Sequence, residues 1–396
     1  MNTALLEKPS PAPKSESVDS SQTPGPRKLQ RPSWPQRLRD RISLFLSTRI
    51  LEPFVMRRQI EKFYLILGGH IYFQTLSAGV QLDLFSLLRK QPRLTCAEIA
   101  RALNIEEKPA RILLLGCTSL GLLIRRHDVY RNTRLADKLL TKESPQNILS
   151  VIQWQHHVNY RAMFHFHDAI QANRNVGLEV FDGNESTLYE RLVHHPDLER
   201  VFQDAMEDIS IQANDTLAKF VDFTDVRHIV DVGGGNGTNL MKLASRYPEL
   251  RGTVFDSPSV CAVAEENISQ AGFSHRIGTN PGDCFADAFP AGADCFLFSH
   301  FCTIWSEEQN RRLLAKAFQA LPANGKVVIF NMMQSDSRGG PLSAALGSPY
   351  FLTIATGEGM LYTWTEYETW MKEAGFTTTR RQLLPRDHGA IIGVKR

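Results

Sequence analysis

The 396-residue sequence predicts an α/β protein in which a parallel sheet with helices on both faces fills the C-terminal part, behind a smaller, mainly helical N-terminal domain. Two observations carry this. From His228 onward, strand and helix patterns alternate: HIVDVGG, a helix to Tyr247, GTVFD, a helix to Gly272, a short strand, DCFLFSHF, a helix from Ser306 to Leu321, then KVVIFNMM. Short apolar runs at this spacing are joined by crossover helices and so lie parallel. Between Ile71 and Ser150 the order is a helix (Ile71 to Leu88), a short helix (Thr95 to Leu103), a helix (Pro109 to Leu120) and an apolar run, Leu122 to Asn132, broken at His127-Asp128. That is the order of a winged helix with the His-Asp turn as a hairpin tip.

Residues 1–35 are rich in Pro, Ser, Lys and Gln and poor in large apolar side chains, so they read as a disordered tail. From Arg37 to Ile66 apolar residues recur at helical spacing among Arg and Lys. They predict one or two amphipathic helices that pack on the body of the protein or on a second subunit, with a membrane surface as the alternative. The winged-helix domain spans 36–150, a helical pocket region 151–220, and the sheet domain 221–396.

Hydrophobic residues at 42% are enough to bury two cores. Lys and Arg number 45 against 42 Asp and Glu. A net charge of +3 gives no general grip on nucleic acid, and the predicted partner is a small molecule. The helix that would read DNA, ARILLLGCTSLGLL, has one basic residue and is apolar nearly all round, which predicts that it is buried. Six cysteines without a C-x-x-C pair, no secretory h-region and no bilayer-length apolar run place the chain in the cytoplasm, without stable membrane insertion.

The run Ile229-Val-Asp-Val-Gly-Gly-Gly-Asn-Gly237 sets an apolar strand before a glycine cluster and a helix after it. Glycines let the backbone turn tightly and approach a ligand, and the helix start offers unpaired N–H groups. A second strand ends about twenty residues on in Asp256, whose carboxylate can accept from both hydroxyls of a ribose. The dinucleotide spacing G-x-G-x-x-G is not met. Asp231, before the glycines, would repel a pyrophosphate and suits a cation. With Gly282-Asp283-Cys284-Phe285 after the third strand, the pattern points to a nucleoside cofactor carrying positive charge, S-adenosylmethionine (SAM).

Over most of its length the chain resembles the small-molecule O-methyltransferase family of class I SAM-dependent enzymes, which joins a winged-helix dimerisation domain to a Rossmann-like domain. The segments that carry the resemblance are DVGGGNGTNLMKLASRYPELRGTVFDSPSV, GDCFADAFPAGADCFLF, WSEEQ followed by ALPANGKVVIF, and YTWTEYETWMKEAGF. The resemblance implies that Gly233 and Gly235 line the methionine and ribose, that Asp256 holds the ribose diol, and that Asp283 and Phe285 flank the adenine. Asp231 and Ser299, at the ends of their strands, join the cofactor set. It further implies a homodimer in which N-terminal helices of one subunit help close the pocket of the other.

The sequence departs from that family where the chemistry sits. A His-Asp-Trp triplet, whose histidine takes the acceptor proton, is replaced by Thr303-Ile304-Trp305. A threonine hydroxyl is no base at neutral pH. The two glutamates that orient that histidine correspond to Asn331 and Leu361. Three readings follow. The chain methylates a nucleophile that needs no strong base, with oxygen the foremost acceptor: a carboxylate, an acidic phenol or enol, or an activated carbon. Alternatively His300, or a histidine from another segment, is a relocated base. Or SAM is a fixed positive charge for a non-methylating rearrangement. The non-enzymatic alternative, a SAM-sensing winged-helix regulator, would need exposed basic residues on the Pro109–Leu120 helix, which offers only Arg111.

Trp154, His156, His157, Tyr160, Phe164, His165 and His167 crowd one predicted helical region. His157 and Tyr160 share a helical face, as do Tyr160 and Phe164. Trp154, His156, Tyr160 and Phe164, with Met206 and Met360, are the predicted wall of a pocket for a hydrophobic, aromatic or polyketide-derived metabolite, and His157, His300 and Thr303 are the candidate catalytic side chains. Only Asp168 could join the histidines as an acidic metal ligand, and His165 and His167 point apart on a helix, so no metal is expected.

Overall fold

A computed structural model describes residues 33–46 and 57–396; the predicted tail falls almost entirely outside these. The described residues form two units, one ending at His70 and the other Ile71–Arg396. The first holds two helices, α1 (Trp34–Leu46) and α2 (Arg57–Leu67), where one or two amphipathic helices are expected.

The second unit takes in all but the first two residues of α3 (Gly69–Gln81), then α4 (Leu84–Lys90), β1 (Leu94–Thr95), α5 (Cys96–Leu103), α6 (Glu107–Ser119), the hairpin β2 (Leu123–Arg126) and β3 (Val129–Asn132), and α7 (Arg134–Leu139). The three strands pair in the order β1-β3-β2. This is the expected winged helix, with two corrections. The helix predicted over Ile71–Leu88 is broken at Asp83, whose φ of 59° lies in the left-handed region that Asp tolerates. The break lets Leu84, Phe85 and Leu88 join Leu114, Cys117 and Leu123 in one core. The helix expected to be buried, α6, buries only Ala110, Leu113, Leu114 and Cys117. Its Ile112 and Leu115 are 65% and 72% exposed, because a 3.6-residue period leaves the far side outside a single core.

The next stretch is helical but interrupted: α8 (Leu149–Trp154), a π-helical turn (Gln155–Asn159), α9 (Tyr160–Ala162), a 3-10 turn (Met163–His165), α10 (Phe166–Ala172), α11 (Leu188–Arg191) and the long α12 (Pro196–Phe220). Thereafter run β4 (His228–Val232), α13 (Thr238–Arg246), β5 (Arg251–Asp256), α14 (Pro258–Gln270), β6 (Ile277–Pro281), β7 (Cys295–Ser299), α15 (Glu307–Ala320), β8 (Lys326–Met332), α16 (Leu342–Tyr350), α17 (Trp364–Ala374), β9 (Thr378–Leu383) and β10 (His388–Val394).

The strands form one sheet in the order β6-β5-β4-β7-β8-β10-β9. The five from β6 to β8 are parallel, as expected. The last two are not: β10 pairs antiparallel with both β8 and β9. Only Leu384–Asp387 separate β9 from β10, so no crossover helix is available to make those two parallel. Both faces are covered, and the strands alternate between two cores. Val230, Val232, Phe296, Phe298, Val327 and Ile329 pack towards α15 and α17; Ile229, Val254, Leu297, Val328 and Phe330 pack towards α12, α13 and α14.

The chain runs from β4 outward through β5 and β6, then returns to place β7 on the other side of β4. Crossovers therefore leave in opposite directions at β4 and β7, which opens a crevice above their C-terminal ends. Among the described residues no helix is long and apolar enough to cross a membrane.

Phe376 is fully buried and meets the Phe318 ring edge at 5.0 Å between α15 and α17. Phe376→Ala is expected to cost about 3–5 kcal/mol, read as a lower denaturant midpoint with an unchanged slope.

Candidate active site

The crevice is floored by the turn after β4. Gly233, Gly235 and Gly237 have φ of 70°, 56° and 82°, which only glycine adopts without strain. Each has a different reason to lack a side chain. A Cβ on Gly233 would run into the Phe301 ring, one on Gly237 would stand 3.2 Å from Ile268, and one on Gly235 would project into open space. The turn is tied to the neighbouring strand twice: the Gly233 N–H donates to the Phe255 carbonyl at 2.9 Å, and the Gly235 N–H to Asp256 Oδ2 at 3.0 Å. The other Asp256 oxygen accepts the Ser257 N–H at 2.7 Å. Burial holds this carboxyl above the usual range, and the two backbone donors offset part of the rise.

Asp231, on β4, is completely buried and neither oxygen has a hydrogen-bond partner. Burial pushes its carboxyl up to about 7; the nearby Asn239 side chain opposes the rise and the Asp256 charge adds to it. An unpaired buried carboxylate is costly, and a cation placed beside it would remove the cost.

Asp283 is exposed, and its Oδ1 accepts the Phe285 N–H at 2.8 Å. The Phe285 ring meets Trp305 edge-on at 4.7 Å. A cavity of about 300 Å³ opens between Cys284, Phe285, Arg312 and Lys316. None of Asp231, Gly233, Gly235 and Asp256 lines it, so it is not the crevice over the glycine turn.

Across the switch point, β7 ends in the half-buried Ser299 and the chain turns at His300, whose φ is 53°. The His300 N–H donates to the Phe330 carbonyl at 2.8 Å. Its ring lies against Phe330 at 5.2 Å and His388 at 5.1 Å, and its Nε2 has no partner. Burial, then the neighbouring His388, pushes His300 down to about 3, so the imidazole is neutral. Thr303 is buried and its hydroxyl donates to the His300 carbonyl at 3.3 Å. Asn331 is fully buried; its Nδ2 donates to the Tyr367 hydroxyl at 3.2 Å and its Oδ1 is unpaired. Leu361 is buried.

The predicted pocket residues are only partly brought together. Trp154 is buried edge-on against Tyr350 at 5.2 Å, and Met206 packs into the same cluster. Tyr160 stacks on Phe73 at 5.6 Å. His156 meets His157 edge-on, and burial, then the charge of His157, holds it below the usual imidazole range. His157 is exposed, with its Nε2 3.1 Å from Gln153 Oε1. Phe164 is 87% exposed and is not packed with the other predicted pocket residues. The π-helical turn before it and the 3-10 turn that holds it change the residues per turn, so the face assumed for Tyr160 and Phe164 does not persist. Met360 is partly exposed beside Gly359, where a Cβ would run into the Thr303 carbonyl. Thr356 donates to the Ile304 carbonyl, so the 303–305 loop and the 356–360 turn are locked together. Among the described residues no three His, Cys, Asp or Glu side chains are grouped to hold a metal.

Residues 164–377 match the O-methyltransferase domain, and residues 64–142 match the O-methyltransferase dimerisation domain. The chain belongs to the O-methyltransferase family. Its similarities extend over most of its length. It is 36% identical to the L-tyrosine C(3)-methyltransferase of Streptomyces lavendulae over 83% of this chain and 91% of that one. It is also 36% identical to the 3-hydroxy-5-methyl-1-naphthoate 3-O-methyltransferase of Streptomyces sahachiroi, over 81% and 91%. The apo structure of the SAM-dependent methyltransferase SibL superposes with a TM-score of 0.76 at 38% identity, over 84% of this chain and 98% of that one. Human N-acetylserotonin methyltransferase in complex with SAM gives 0.73 at 27%, over 85% and 97%.

This member is thus a SAM-dependent enzyme with a class I methyltransferase fold behind a dimerisation domain. The residues present fit that cofactor on two counts: a buried carboxylate without a partner at Asp231, and an open face at Gly235 next to an oriented carboxylate. Sequence reasoning missed Phe301 and His388, which set the walls at Gly233 and His300. No local signal marks either, since their neighbours are 68 and 88 residues away in the chain.

The Asp231 carboxyl generates a pH test. A cationic ligand binds the ionised form, so affinity should fall as pH drops through about 7. Calorimetry with S-adenosylhomocysteine, whose ammonium supplies the charge, is expected to show about tenfold weaker binding at pH 6 than at pH 8. Asp231→Asn should bind weakly at both pH values, with the slope gone.

Proposed function

We propose that this enzyme methylates a ring carbon of an electron-rich, phenol-bearing small molecule, without a strong general base. The observation that carries the reading is Thr303: at the place where the family's proton acceptor would stand, the side chain is a buried hydroxyl already donating to the His300 carbonyl. The positions matched to its two supporting carboxylates hold Asn331 and Leu361. Methylation of a neutral phenol oxygen loses a proton that needs a competent base, because the phenol pKa is about 10. A ring carbon beside the hydroxyl is already nucleophilic, and the proton it sheds after bonding is acidic enough for a weak acceptor.

SAM supplies an electrophilic methyl carbon, and the products are the methylated ring, S-adenosylhomocysteine and one proton. The chain's own residues bind, orient and accept. Gly233 and Gly235 give close backbone approach, Asp256 takes the ribose diol, and Asp231 offsets the positive end. Ser299, Asp283 and Phe285 complete the cofactor side, with Phe285 held in place by Trp305. His300 offers its unpartnered Nε2 as the weak acceptor, which suits a strongly acidic proton and not a phenol. Trp154, His156, Tyr160 and Met206 supply an aromatic and polarisable wall, with Met360 at the turn beside Thr303. One relative is a tyrosine C-methyltransferase and another a naphthoate O-methyltransferase, which supports an aromatic acceptor and leaves the atom to the site.

The enzyme acts as a homodimer in this reading. The match of residues 64–142 to a dimerisation domain supports it, as do Ile112 and Leu115, which a partner would cover. Dimerisation in this reading belongs to the matched residues 64–142, without α1, followed by 151–220 for the pocket roof and 221–396 for SAM.

Incubation with SAM and a set of phenolic aromatic amino acids and naphthoates should yield a product heavier by one methyl, with S-adenosylhomocysteine in equal amount. Two-dimensional NMR is expected to place that methyl on carbon. A methoxy signal would refute the carbon assignment, and an isomerised product beside intact SAM would refute methyl transfer. His300→Ala should lower turnover about a hundredfold while leaving S-adenosylhomocysteine affinity unchanged; His157→Ala should change neither by more than about twofold.

A further inference from the structure

We propose that α1 is a membrane-surface helix that docks the enzyme reversibly on bilayers containing anionic lipid. The helix start is well specified. The Ser33 carbonyl accepts the Arg37 N–H at 3.0 Å, and Gln36 Oε1 accepts the Ser33 N–H at 2.9 Å and its hydroxyl at 3.1 Å. Pro35 sits in the first turn, where no intrahelical N–H is needed. Yet α1 has 13 residues and none is buried. A helix this short is marginal in water and needs a surface to pack on.

Its side chains describe that surface. At about 100° per residue, Trp34, Leu38, Ile42, Phe45 and Leu46 share an arc of about 120°. All five are exposed, from 43% at Leu46 to 70% at Trp34. Arg39 and Arg41 stand about 20° beyond the two edges of the arc, and Asp40, the helix's one carboxylate, lies diametrically opposite. Cations flanking an apolar face reach the headgroups while their stems lie along the acyl boundary, and a tryptophan suits the same depth. The surrounding charge agrees. Residues 1–62 carry twelve Lys and Arg against six Asp and Glu, whereas the other 334 carry 33 against 36. Positive charge is therefore concentrated in the stretch that holds α1, and attraction to an anionic surface would orient it there.

A second copy of the chain fits less well. Seventeen residues separate the end of the helix from the first residue matched to the dimerisation domain. SibL is matched over 98% of its length by 84% of this chain, so a close structural relative needs no counterpart for the remainder. Five side chains on one short helix also offer far less than the area a stable dimer buries.

The test is co-sedimentation of the full-length enzyme with vesicles of phosphatidylcholine alone and of phosphatidylcholine with 30% phosphatidylglycerol. Binding is expected only to the anionic vesicles, reduced at least tenfold by Ile42→Glu, several-fold by Arg39→Gln with Arg41→Gln, and by 0.5 M salt. The melting temperature and S-adenosylhomocysteine affinity of each variant should match the parent, which shows that the body of the protein is intact. No binding to anionic vesicles, or binding indifferent to Ile42→Glu, would overturn the proposal. So would a fall in molecular mass by sedimentation equilibrium on Ile42→Glu, which would assign the face to a second copy.

Discussion

The hydrogen bond from the Gly235 N–H to the Asp256 carboxylate, 3.0 Å long, fixes the relation between the glycine turn and the second strand, and the site geometry depends on it. Without it the turn would be held only by the Gly233 link to Phe255 and by the packing of Phe301. With it, and with the Ser257 N–H on the other oxygen, the carboxylate at the end of one strand is aimed by backbone donors alone, without a further side chain. That economy explains the open face at Gly235: the position is free of side chain because its backbone already makes the necessary contact. The switch point between β4 and β7 then decides which loops can face this pair, and it brings the 299–305 loop to the glycine turn, where Phe301 closes on Gly233.

The half of the site on this parallel core was legible because it is local. An apolar strand, a glycine run and a helix lie within twenty residues, and the second strand ends in Asp256 twenty-one residues after Gly235. Each strand there is buried on both faces and reads as a continuous apolar run. The antiparallel end of the sheet was not legible. TTRRQL looks like solvent-facing loop, and its role as an edge strand comes only from β10, which is itself placed by β8. His388 went unseen for the same reason, although it packs on His300.

The aromatic region failed differently. A spacing argument assumes one constant number of residues per turn. Between Gln155 and His165 the chain passes from a π-helical turn through a single α turn to a 3-10 turn. Trp154, which precedes the irregularity, packs into an apolar cluster; Phe164, which follows most of it, is exposed. A similar limit applies to α6. Its composition is apolar nearly all round, but burial of one face against Leu84 and Phe85 leaves Ile112 and Leu115 outside. Composition cannot distinguish a helix buried by its own chain from one awaiting a second surface.

Around the crevice, buried polar atoms without partners recur at successive strand ends: both oxygens of Asp231 on β4, Nε2 of His300 after β7, Oδ1 of Asn331 on β8 and Nε2 of His388 on β10. Each costs stability, because a desolvated polar group has lost its water and gained nothing in return. A fold held by two continuous apolar cores can bear this cost at its strand ends, where function needs it. The distribution of charge among these groups is informative. The anionic one lies under the glycine turn, where a cation would neutralise it, while burial pushes both histidines below the usual imidazole range, with His388 adding to the effect at His300. A site so arranged attracts a positively charged donor to one side and offers uncharged, weakly basic nitrogen on the other. That division suits a transfer in which the acceptor is nucleophilic before any proton leaves, and it is poorly suited to one that must begin by stripping a proton from oxygen.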